Sequence, residues 1–202
     1  MANSKLYQAM SSGFKRLEKT FLNFKARPGG DYTRRQLSMA AAYTVFCHAE
    51  IETYVEGWAT AFTDFAENKW KSGQATRPLV HLCTFHEGRN ALSNVPSKDV
   101  WNEVVHKAIA KHRGIISSNH GIKEANVCEL LSPIGFNTTS VDSVLLADLS
   151  AFGTLRGDYA HKSLKVQVGT IFDPFDRRNK VKALELLLAT LDAQLALYLA
   201  SA

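Results

Sequence analysis

Three cysteines in 202 residues, none in a Cys-x-x-Cys spacing, leave no disulfide scaffold and no zinc ribbon to organise this chain. Cys47, Cys83 and Cys128 are widely separated and odd in number, so they are expected as reduced, mostly buried thiols. No run of about 18 apolar residues occurs. The opening MANSKLYQAMSSGFKR has neither an apolar h-region nor a small-residue cleavage site, so the expectation is a soluble, cytoplasmic protein without membrane contact. Familiar catalytic hardware is missing too. There is no glycine-rich phosphate loop, no His-Glu-x-x-His and no Gly-x-Ser-x-Gly, which removes P-loop nucleotide hydrolysis, zincin proteolysis and α/β-hydrolase chemistry. What remains is histidine, arginine and carboxylate chemistry.

With 46% hydrophobic and 21% charged residues, the chain is long enough to bury one sizeable core, and a single domain over residues 1–202 is the default. A net charge of +5 and a pI near 9.1 suit a polyanionic partner without requiring one, because the basic residues are dispersed, with only small clusters at Arg34-Arg35 and Arg177-Arg178.

Apolar spacing is helical nearly throughout. Leu6, Met10, Phe14, Leu17, Phe21 and Phe24 predict a helix over residues 3–25, stopped by ARPGG. Leu37, Ala41, Thr44, His48, Ile51, Val55, Trp58, Phe62 and Phe65 alternate steps of four and three, so one face of a second, long helix is expected to be buried. Residues 79–92 are compatible with a short helix. A further helix is expected from a Ser97 cap, and a short one over about 123–132, ended by Pro133 and Gly135. Thr139 or Ser140 is the expected cap of a helix striped with Val141, Val144, Leu145, Leu149, Phe152, Leu155 and Tyr159. After a weakly alternating stretch at 163–172, read as a connector or one short strand, Asp173 and Pro174 open a last helix carrying Val181, Leu184, Leu188, Leu191, Leu195 and Tyr198. The fold class is all-α, an up-and-down bundle of about five to six helices.

Seven histidines narrow the search for chemistry. The segment LRGDYAHK pairs Arg156 with His161. On a strict helix these lie about 140° apart, so they converge on one atom only if Gly157 loosens the turn or the arginine wraps round. Asp158, three residues before His161, is near enough to set its tautomer. A rival pair, Arg113 and His120, sits where Gly114, Ser117, Ser118 and Asn119 read as a helix end and loop, and is discounted. His48 falls in a buried stripe and reads first as a satisfied core histidine. Glu52, one turn on, is a supporting candidate, with Glu50 as the register alternative. A metal site from His48, Glu52 and Glu56 lacks a third strong ligand, so neither a metal nor a cofactor is expected. Trp58, Trp70 and Trp101 read as core or interface, since no paired aromatics sit beside basic clusters. Lys162 reads as solvent-facing, within reach of a phosphate.

The segment LSAFGTLRGDYAH, near the end of an all-helical chain, resembles the R-x(4–6)-H motif of the HEPN superfamily. FCHAEIETYVEGW resembles the early helix of its RiboL-PSP-type branch, and the likeness spans roughly residues 35–200. The resemblance implies an endoribonuclease that works without metal in a cleft between two subunits. His161 would be the acid or base at the ribose 2′-hydroxyl or the leaving oxygen, and Arg156 would stabilise charge on phosphorus. Asp158, Glu52 and Lys162 would support them. One histidine does not easily serve as base and acid together, so a C2 homodimer is expected. The implied partners are RNA, a second copy, and an antitoxin or defence-system protein in a toxin or antiviral setting. Gly157 and Ser163 depart from positions where many members carry Asn, Asp or His and Tyr. The alternative is a non-catalytic helical module for dimerisation or for RNA or nucleotide binding.

Overall fold

The computed structural model describes residues 3–27, 30–88, 98–161 and 172–202. Among these it contains seven α-helices, slightly more than the pattern predicts, and no strand: α1 (Lys5–Phe21), α2 (Arg34–Lys71), α3 (Arg77–Glu87), α4 (Lys98–Ser118), α5 (Glu124–Leu131), α6 (Ser143–His161) and α7 (Pro174–Ala200). The additional helix is α3, in place of the short helix that residues 79–92 allow: Thr76 caps it and Pro78 occupies its first turn, where a missing N–H does no harm. Ser97, Lys162 and the stretch 163–171 lie outside the described residues.

The chain divides into two compact units. The first comprises Met1–Tyr54, Gly121–Glu124 and Asp142–Ala193. Here Ser4 Oγ caps α1 by accepting from Tyr7 N, and the buried Asp192 carboxylate takes both Ser4 N (2.7 Å) and Ser4 Oγ (2.6 Å). Tyr7, Met10 and Phe14 bury one face of α1. The helix stops at Phe21, earlier than the spacing suggests. Beyond it Phe24 packs edge-on to Tyr32 and Phe175, so its apolar contact is made by a loop and not by a helical stripe. Thr33 and Gln36 form a reciprocal capping box that starts α2. In this half of α2 the expected stripe of Leu37, Ala41, Thr44, His48 and Ile51 is buried. A second row of Ala40, Tyr43, Cys47 and Tyr54 is buried as well.

α6 begins differently from expectation. Asp142 is its cap, with Oδ1 accepting from Val144 N at 2.7 Å, while Thr139 and Ser140 form a separate 3-10 turn started by Asn137. Asp142 wins because its carboxylate reaches the amide two residues on. Val144 therefore stands in the first turn facing outward, 59% exposed, and the buried face is Leu145, Leu146, Leu149 and Phe152. Asp173 caps α7 as its sequence suggests, accepting from Phe175 N. By length and composition alone α7 could cross a membrane. Its Val181, Leu184, Leu188 and Leu191 are buried in this unit together with the Asp192 carboxylate.

The second unit comprises Val55–His120, Ala125–Val141 and Gln194–Ala202. Its core takes Val55, Trp58 and Phe62 from α2, Leu79 and Leu82 from α3, Val105 and Ile109 from α4, and Leu130 and Leu131 from α5. Phe65, expected in the stripe, is only half-buried. Gly135 sits at φ +80, and a Cβ there would run into the His81 ring, which is why glycine follows α5.

Candidate functional site

His48 and Glu52 are one turn apart on α2, and the helix delivers them to the same side. His48 is 2% exposed. Its Nδ1 makes no hydrogen bond among the described residues and stands 3.7 Å from Glu52 Oε2, beyond bonding distance. The sequence reading of a satisfied core histidine is thus corrected in one respect: the ring is in the core, but Nδ1 is not satisfied there. Burial, and to a lesser extent the positive charge of the Arg156 guanidinium, together lower its pKa from 6.5 to about 4. His48 is neutral at any physiological pH, so its approach to Glu52 is not an ion pair.

That electrostatic link is the main relationship the sequence did not reveal. Arg156 comes from α6, 108 positions after His48, and the structure brings the two close enough to interact. Nothing in one sequence marks such a pair apart from each residue's own helical register. Arg156 is half-buried, on a turn that stays regular through Gly157 and ends at His161. A Cβ on Gly157 would meet nothing within 4 Å, and its φ is not positive, so no loosened turn brings arginine and histidine together. Of His161 the structure describes the backbone, the last residue of α6. Asp158 is half-buried, and Tyr159 has its ring 6.4 Å from that of Phe172, over which Arg177 lies at 5.0 Å.

The competing candidates are occupied elsewhere. Glu50 turns to α1, where it lies over Gly13 and pairs with Arg16 at 3.2 Å, so Glu52 and not Glu50 faces His48. Glu56 accepts from Asn119 Nδ2 at 2.8 Å. Arg113 of the rival pair is clamped by Asp64 (2.7 Å) and Glu67 (2.8 Å) and reads as structural. Among the described residues no group of three His, Cys, Asp or Glu side chains is arranged to hold a metal ion. The site's chemical repertoire is therefore a guanidinium for an anionic oxygen, a buried neutral imidazole, and carboxylates that orient their neighbours.

No curated protein and no solved structure matches the chain. The family model described as RiboL-PSP-HEPN matches residues 14–195, a span that takes in His48 and Glu52 on α2 and the whole of α6. The chain belongs to that family.

Proposed function

We propose that this protein is a metal-independent endoribonuclease acting as a C2 homodimer in the cytoplasm, over a single domain of residues 1–202. What supports the reading is one observation: in a chain of the RiboL-PSP-HEPN family, Arg156 and His161 stand on the last turns of α6, and the charge of Arg156 reaches the buried His48 of α2. The ribose 2′-oxygen attacks the adjacent phosphorus, forming the P–O2′ bond, and the P–O5′ bond breaks to leave a 2′,3′-cyclic phosphate. One His161 takes the proton from the 2′-hydroxyl, and His161 of the partner subunit gives one to the departing 5′-oxygen. Arg156 binds the non-bridging oxygens as charge builds on phosphorus. Asp158 holds the His161 tautomer, Glu52 and Lys162 support the site, and no cofactor takes part. A toxin or anti-phage setting with a neutralising protein partner belongs to the same reading.

The test is a gel assay of wild type, His161→Ala and Arg156→Ala on mixed single-stranded and structured RNA with EDTA present, alongside sedimentation. Cleavage by wild type alone, with cyclic-phosphate ends and a dimer in solution, is the expected result. No cleavage by a folded, dimeric wild type would replace it with a non-catalytic interaction module, and a strict monomer would remove the two-histidine mechanism.

A further inference from the structure

The most basic part of the chain carries an aromatic pair on its surface, which corrects the expectation that no paired aromatics sit beside basic clusters: Phe21 and Phe46 are 25 positions apart and only the fold pairs them. Between residues 5 and 35 stand eight Lys or Arg side chains against two acidic ones. Lys15, Arg16, Lys19, Lys25, Arg27, Arg34 and Arg35 are exposed, and Glu18 is drawn off by Arg178 and Lys182, each at 3.7 Å. In the same unit, Phe21 of α1 and Phe46 of α2 stack nearly parallel, with centroids 5.4 Å apart and planes 14° apart. Phe46 is 49% exposed, an unusual position for a phenylalanine beside a well-filled core.

The neighbours of the stack give it a direction. Glu50 follows Phe46 by one turn on the same face of α2 and pairs with Arg16, so the Arg16–Glu50 and Phe21–Phe46 contacts are successive rungs across the α1–α2 seam. Towards the start of α2, Arg35 precedes Phe46 by eleven residues, which returns it to within about 20° of the same face. Ser38, Met39 and Ala42, half-buried, lie between them. From the Arg16 rung to Arg35 the strip runs about 22 Å along α2, enough for a few nucleotides.

We propose that the Phe21–Phe46 stack and the basic residues flanking it form a docking strip for single-stranded RNA, using none of the α6 motif residues. An unpaired base lays its face on the exposed ring of Phe46, and Arg35, at the far end of the strip, meets a phosphate. Duplex RNA does not offer that base face. A second copy of this chain is the poorer occupant, because a two-fold contact through this strip would set the same basic surface against itself. The choice of RNA as the polyanion rests on the ribonuclease reading above, but the strip is testable without cleavage.

The experiment measures binding of a fluorescent 2′-O-methyl oligouridine, which has no free 2′-hydroxyl to attack, by anisotropy across a salt series, with sedimentation of every variant. Phe46→Ala is expected to weaken binding about tenfold, Phe46→Trp to restore it, and Phe46→Leu, which keeps apolar area without an aromatic face, to leave it weak. Arg35→Ala should flatten the slope of log affinity against log salt by about 0.7, one single-strand phosphate contact. Unchanged affinity in Phe46→Ala overturns the strip, even if wild type cleaves RNA. A dimer that falls apart in Phe46→Ala overturns it too, in favour of a self-association surface. Phe46-dependent binding by a protein that never cleaves would leave the strip standing and remove the nuclease.

Discussion

Glu52 Oε2 stands 3.7 Å from His48 Nδ1, one turn further along α2, and the two side chains are only 17% and 2% exposed. A carboxylate that close would ordinarily hold a proton on the imidazole. Here the scarcity of water and the positive charge of Arg156 prevail, and the ring stays neutral down to about pH 4. The consequence is a site whose polar groups are set by packing of the helices and not by a charge pair within α2.

Stability should therefore fall on mild acidification. His48 titrates near 6.5 in the unfolded chain and near 4 in the folded one, so between those values the unfolded chain binds more protons. The stabilisation is fully present above about pH 6.5 and is lost as pH drops towards 4, amounting to about 3 kcal/mol. His112, fully buried in the second unit and likewise lowered to about 4, adds a second loss of the same sign. Urea midpoints at pH 7, 5.5 and 4.5 should decline steeply for wild type and less steeply for His48→Gln. A flat wild-type profile would contradict the buried neutral imidazole. Cleavage between pH 6 and 9 should keep its pH limbs in His48→Gln, since His48 does not titrate there.

Arg156 should matter twice. Arg156→Lys keeps the charge but loses the planar fork that grips two phosphate oxygens, and RNA cleavage under single-turnover conditions should drop about 10²- to 10³-fold. Arg156→Ala should in addition let the His48 pKa climb from about 4, though not to its ordinary value, because burial is the larger cause. An NMR titration of His48 reads the second effect independently of activity. An unmoved His48 would mean that the two side chains do not sense each other in solution.

Much of this was legible in the sequence. The cap at Asp173 and the stripe of α2 are local, fixed by side chains reaching amides or neighbours within four residues. The Asp142 cap was missed because Thr139 and Ser140 are equally good cap residues, and only the fold decides which amide is left open. The long-range pairs were beyond reach. Arg156 acting on His48, Glu50 against Arg16, and Phe21 on Phe46 each join residues more than twenty positions apart, and periodicity assigns a face to each without saying what the face meets.

Gly157 offers a direct check on the geometry of the motif. The position is helical and a methyl group there meets open space, so Gly157→Ala should raise stability by about 0.5–1 kcal/mol through reduced backbone freedom in the unfolded chain. Because the turn is already regular, cleavage should be unchanged. A variant that is more stable but much slower would show that the working form opens this turn to bring Arg156 and His161 together.

The last prediction concerns what holds α1 in position. Asp192 is 1% exposed and accepts from Ser4 N, Ser4 Oγ and, at 3.3 Å, Tyr54 Oη. It joins the start of α1 to α2 and α7, so the basic stretch that follows Ser4 depends on a carboxylate 188 residues away. Asp192→Ala strips the acceptor and leaves buried donors unmatched, and a loss of about 3 kcal/mol is expected. Ser4→Ala removes the hydroxyl but keeps the amide bond to Asp192, and should cost about 1 kcal/mol. Hydrogen exchange distinguishes local from global effects. In Ser4→Ala the amides of Tyr7 and Gln8 should lose protection while the middle of α2 keeps it; equal losses in both would mean that the cap is not a separate anchor.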